Sequence, residues 1–221
     1  MRSSSIHAAL SATLLAALML AAPANADDLF PRSGDEAMAL HEGDADRWLD
    51  GPVRYIALDE EQKAFKQLAT SAERQAFIDW FWARRDDDTR DDRNPYRVEF
   101  YERVAQANAR YHDFPRGWRS DRGMVHVVLG RPDAIRPQLG GNAEAAVWTY
   151  YTVGPRARDR DFGSTGGEIS IAFVKSNYRA GYRIYGGFGG PGVLPLYVRD
   201  AFRFARAAMI VDPYLTLHAV N

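Results

Sequence analysis

Cysteine is absent from all 221 residues. That excludes thiol catalysis, thiolate-ligated metals, a lipidated N-terminal cysteine and any disulfide, so stability must come from an ordinary apolar core. Histidine is scarce. Beyond His7 only His41, His112, His126 and His218 occur, and none has the spacing of a metal-binding set. An excess of one charge is also missing: 28 basic and 29 acidic side chains nearly cancel, unlike the basic surface of a nucleic-acid binder. The balance is uneven, with 11 acidic and 5 basic residues over 27–70 and 5 acidic and 9 basic from 150 onward. Such a dipole steers a partner, holds the two ends together, or forms a plain solvated surface.

A long apolar run occurs only at the start. Residues 8–22 are mostly Ala and Leu, broken by Ser11 and Thr13, and fall short of the ~20 residues a spanning helix needs. Pro23 ends the run, and Ala24-Asn25-Ala26 fits a small-x-small cleavage site. The pattern predicts a secretory signal peptide over 1–26, cleaved after Ala26, and a periplasmic or secreted product with no transmembrane segment.

Residues 27–51 are acidic, with Leu40, Trp48 and Leu49 among scattered apolar positions, and read as a loosely attached arm. Helical signals follow. Asp59 reads as a cap ahead of Glu60-Glu61-Gln62, with Ala64, Phe65 and Leu68 as an apolar stripe. Thr70-Ser71-Ala72-Glu73 is a capping box opening a second helix, whose face holds Ala76, Phe77, Trp80, Phe81 and Arg84. Asn94-Pro95 opens a third, lined by Val98, Tyr101, Val104, Ala105, Asn108 and Tyr111. After Gly123 the period changes to two, so 124–129 predicts a buried strand, and 145–151, 168–175 and 178–185 predict further strands. Lys175-Ser176-Asn177-Tyr178 reads as a hairpin turn between the last two. Residues 186–192 are glycine-rich, and 199–209 predicts a last helix with Phe202, Ala205 and Met209 inward. Helices followed by strands imply an α+β fold: about three helices packed on a mainly antiparallel sheet of about four strands, with a short C-terminal helix. The expected organisation is an arm over 27–51, an α+β domain over 52–185, and a Gly-rich loop with a helical tail over 186–221.

The densest motif is Gly117-Trp118-Arg119-Ser120-Asp121-Arg122-Gly123, followed by a run ending in Gly130-Arg131-Pro132-Asp133. Gly117 permits a positive φ or a close approach. Trp118 locks a loop onto the helical layer. Ser120 and Asp121 fold back onto backbone N–H groups. Arg122 offers a fork for a carboxylate, with Asp86 or Asp121 as the expected partner. Gly130, Pro132 and Asp133 close the run with a turn.

These residues resemble the signature of the GWxTD-domain family, a bacterial exported family without an assigned activity. The resemblance starts upstream, at Arg54-Tyr55-Ile56-Ala57-Leu58-Asp59-Glu60-Glu61. It continues through Phe77-Ile78-Asp79-Trp80-Phe81-Trp82-Ala83-Arg84-Arg85-Asp86 and through 99–108, which is similar to the family's "hYxRhxxAN" element. Ser120 replaces the family's Thr and keeps the hydroxyl. His126 stands where many members of the family carry Tyr or another large residue.

Other chemistry fails on spacing. The acidic loop 86–92 lacks the Gly and Glu that an EF-hand loop needs at its sixth and twelfth positions, and arginines interleave it. Residues 187–192 match G-x-G-x-x-G but are not followed by a helix start. The glycine run 163–167 lacks the features of a nucleophile elbow or a P-loop. Ser120, Asp121 and His126 lie too close along one element to form a triad. The best site candidate is a polar cluster of Arg84, Arg85, Asp86, Asp121 and Arg122, which either binds an anionic or peptide group or ties the helices to the sheet. Trp82, Tyr150, Tyr151, Tyr182 and Tyr185 belong either to a binding surface or to the core. The functional expectation is a non-catalytic binding module of the cell envelope with no cofactor, no metal, and an envelope protein or peptide as partner. The alternatives are a hydrolase of envelope polymers, pairing Asp121 with Glu144 or Asp133, and a structural subunit of an envelope assembly.

Overall fold

The computed structural model describes residues 31–87, 90, 93–113, 117–140, 143–151, 168–175, 181–186 and 194–216. The predicted signal peptide, the hairpin turn at 176–178, the glycine runs at 163–167 and 187–192 and part of the acidic loop lie outside them.

The helices are α1 (Gly34–Glu42), α2 (Asp59–Gln67), α3 (Ser71–Ala83), α4 (Pro95–Arg110), α5 (Asp121–Leu129) and α6 (Leu196–Ala208). The strands are β1 (Ala134–Gly140), β2 (Ala143–Tyr150), β3 (Ile169–Lys175) and β4 (Tyr182–Ile184). They form one antiparallel sheet in the order β1-β2-β3-β4. The α+β expectation therefore holds.

The local signals explain much of this. Thr70 accepts from Glu73 N while Glu73 accepts from Thr70 N, which is the capping box read from the sequence. Asn94 caps α4 by accepting from Arg97 N, with Pro95 in the first turn. At α2 the prediction shifts by one residue. Asp59 lies inside the helix, and Glu61 reaches back to accept from Leu58 N at 2.8 Å.

The predicted strand at 124–129 is a correction: these residues belong to α5. Ser120 is its N-cap, accepting from Gly123 N at 2.9 Å. Val125, His126, Val127, Val128 and Leu129 are all buried, so the run shows no inward and outward alternation and its period carries no information. Enclosure by α4, α6 and β4 overrides the β-propensity of its valines. The count of strands is kept by β1, which the sequence reading missed because Pro137 interrupts it. It is an edge strand, where a missing N–H is tolerated.

The described part of the acidic arm is not loose. It folds into α1, capped by Ser33, and 3-10 turns at Ala45–Asp50 and Pro52–Tyr55. Helix α1 lies on α4. Trp48 is buried against Phe65, Phe77 and Phe81. The core continues through α4 and α5 to one face of the sheet, where the rings of Tyr111, Trp148 and Phe173 pack at a tilt. Helix α6 closes it with Val198, Ala201, Phe202 and Ala205. Of the aromatics left open between surface and core, Trp82, Tyr150 and Tyr182 are buried, and Tyr151 and Tyr185 are exposed.

Candidate functional site

The signature is a turn clamped between α4 and α5. Gly117 has φ +65°, and a Cβ there would lie 3.1 Å from Asn108 Cγ and closer still to its Oδ1. Asn108 Oδ1 accepts from Trp118 N at 3.2 Å. Ser120 Oγ donates to Gly117 O at 2.8 Å and accepts from Gly123 N. A Cβ on Gly123 would come within 2.8 Å of Trp118 Cα and overlap Gly117 O. Both glycines are thus required where α5 starts against its own preceding turn.

Trp118 is buried, edge-on to His41 at 5.7 Å and to Tyr55 at 5.6 Å. Arg119 lies over its indole, with Cζ 4.6 Å from the centroid. Asp121 binds the β4 edge: one oxygen accepts from Arg183 at 3.0 Å, the other from Ile184 N at 2.9 Å. Arg122 pairs bidentately with Asp113 at 2.7 and 2.8 Å and stacks on Tyr182 at 4.0 Å. Its partner is therefore neither Asp86 nor Asp121. At the far end of α5, Gly130 has φ +82° and its carbonyl accepts from Tyr150 OH at 3.3 Å. Pro132 is buried beside it. Asp133 accepts from Tyr151 N at 2.7 Å.

The expected five-residue cluster is divided among separate places. Arg84 and Arg85 leave the end of α3 for Glu61 on α2, with contacts of 3.0 Å for Arg84 and 3.0 and 2.8 Å for Arg85. Arg85 is fully buried; it also donates to Phe81 O at 2.9 Å and covers that ring at 3.6 Å. Asp86 follows α3, its N–H on Ala83 O, while Asp121 and Arg122 belong to α5 and the sheet. The sequence distances concealed this, because all five residues flank helix ends that point to different neighbours.

Several partners were missed. Glu42 accepts from Trp82 Nε1 at 2.6 Å and Tyr101 OH at 2.7 Å and pairs with Arg97. Burial, then the Glu42 charge, raises the Tyr101 pKa well above its ordinary value. Glu61 ends the family-like run at 54–61, but nothing in its spacing points to the two arginines. Asp113 and Glu42 carried no signal apart from charge.

The acids of the hydrolase alternative are engaged elsewhere. Glu144 accepts from Tyr182 OH and faces Lys175 at 3.7 Å; the tyrosine hydrogen bond, then the lysine, keeps its pKa below the usual value. Asp121 is taken by Arg183 and Ile184 N, and Asp133 by Tyr151 N, so each acid of either pairing already has a partner within the fold.

His126 is buried, with Nε2 3.2 Å from Gln106 Oε1. Desolvation, then Arg103 and Arg110, lowers its pKa from 6.5 to about 4. The unfolded chain therefore binds more protons between those values. Stability is intact above pH 6.5 and falls as pH drops toward 4, by about 3 kcal/mol from this ring. Urea unfolding across that window should show a shallower pH dependence in His126→Gln, with a residual slope from His41, whose pKa is also lowered to about 4. An unchanged slope would contradict this role.

The GWxTD domain family model matches residues 44–169, more than half of the chain. The chain belongs to the GWxTD-domain family. Neither the comparison with curated proteins nor that with solved structures finds a match. The GWxTD match spans the signature turn, Glu61 and both arginines. It starts after Glu42 and ends at Ile169, so α1, β4, α6 and all of β3 but its first residue lie outside it.

Proposed function

We propose that this GWxTD protein is an exported, non-catalytic binding module of the cell envelope. The observation that carries the reading is where the signature's polar atoms go. Ser120, Asp121 and Asp133 hold backbone N–H groups of α5, β4 and the end of β2, and Arg122 holds Asp113. A catalytic base or nucleophile must reach substrate, whereas these groups support a rigid frame of the kind that recognition sites need. Arg119 is different. It is exposed, forms no ion pair among the described residues, and lines a cleft with His41, Arg47 and Asp50. The signal-peptide pattern of residues 1–26 supports export. Among the described residues no helix is long and apolar enough to cross a membrane.

The test is co-isolation of the tagged protein from its native envelope after mild cross-linking, beside an Arg119→Glu variant. The expected result is a specific companion that the variant loses while its circular dichroism is unchanged. Turnover of envelope polymers by the wild type, lost in a folded Asp121→Asn variant, would replace this reading with the hydrolase.

A further inference from the structure

The cleft beside Trp118 carries charge that no salt bridge among the described residues neutralises. It has a volume of about 250 Å3 and lies where the end of α1, the turn Ala45–Asp50 and the signature turn meet. Arg47, Arg119, Asp44 and Asp50 line it. Among the described residues none of the four forms a salt bridge. Two of them are held by other neighbours. Arg119 is stacked on Trp118, and Asp44 Oδ1 accepts from Asp46 N at 3.0 Å. Oppositely charged side chains that share one small cleft without pairing to each other offer complementary charge to a ligand.

The balance of charge restricts what fits. A bare anion meets the two carboxylates, and a bare cation meets the two guanidiniums. A molecule carrying both charges satisfies both pairs. Leu40 supplies an apolar edge. His41 lines the cleft with its ring, whose Nε2 is itself buried, and Trp118 packs edge-on against that ring. A cleft of this volume has room for a ligand the size of an amino acid or dipeptide.

We infer that this cleft binds a small zwitterion of the α-amino acid or dipeptide class, its carboxylate taken by Arg47 and Arg119 and its ammonium by Asp44 and Asp50. This rests on the binding-module reading and names the ligand class for it. Arg119 occupies the variable position of the G-W-x-S-D run, so the frame is set by the signature and the ligand by the residue it displays.

The experiment is an NMR titration of the purified protein with Ala-Ala, N-acetyl-Ala-Ala, Ala-Ala amide and acetate. It follows the Trp118 indole and His41 ring resonances, each assigned from a substituted variant. Ala-Ala should shift both saturably, and blocking either terminus should weaken binding about tenfold or more. Arg119→Gln and Asp50→Asn alter exposed side chains and should each lose the response with the remaining spectrum intact. The absence of a saturable shift, or equal binding of the blocked peptides or of acetate, would overturn the inference. Free alanine appearing in the same spectra would instead overturn the non-catalytic reading and leave the site in place. Silence without turnover overturns the site alone.

Discussion

Glu61→Ala is expected to destabilise the domain by about 3–5 kcal/mol, the largest effect of any single charge removal here. Glu61 is 3% exposed and Arg85 is 0% exposed. The carboxylate receives Arg84, both terminal nitrogens of Arg85 and the Leu58 N–H. Its removal leaves a guanidinium in the interior facing only Phe81 O and the Phe81 ring. It also releases the first turn of α2 from the end of α3. Urea denaturation followed by circular dichroism measures the loss. A double variant, Glu61→Leu with Arg85→Leu, should be less destabilised than Glu61→Leu alone, because an unpaired buried charge costs more than an apolar replacement of the pair. Simple additivity would show that the two groups do not act as a pair.

Gly123→Ala should cost more than about 3 kcal/mol, above the usual range for one added methyl group. The new Cβ meets backbone on two sides, Gly117 O and Trp118 Cα, and neither can rotate away. Relief requires lifting α5 from the signature turn, which also disturbs the Ser120 cap and the Asp121 bonds to β4. Ser120→Ala removes the cap without adding volume and should cost about 1 kcal/mol. Comparing the two urea midpoints separates steric closeness from capping. Equal losses would place the importance of the turn in its hydrogen bonds and not in the close approach of α5.

The signature and the chemistry it supports were legible to different degrees. Capping at Thr70 and Asn94 was readable because a cap is made within a few residues of sequence. The roles of Gly117 and Ser120 in turning the chain were readable for the same reason, whereas Asp121, expected to fold back onto its own turn, reaches β4 instead. Asp121 was only half readable: its tie to a backbone N–H follows from its type, but Ile184 lies far along the chain. The strand expected at 124–129 failed because a short valine-rich run that is buried on all sides fits either period. Only the neighbours of α5 decide between them.

By itself, the sequence determined the family, the α+β class, the cysteine-free core and the turn chemistry of the G-W-x-S-D run. These depend on composition and on interactions between near neighbours. Tertiary structure alone decided that Glu61 holds Arg84 and Arg85, that Glu42 anchors the acidic arm, and that Arg122 takes Asp113. It also decided that Arg47 and Arg119 share one cleft with Asp44 and Asp50. The reason is physical: charge has no direction along a chain, so each arginine has many possible carboxylates until packing brings one within hydrogen-bond reach.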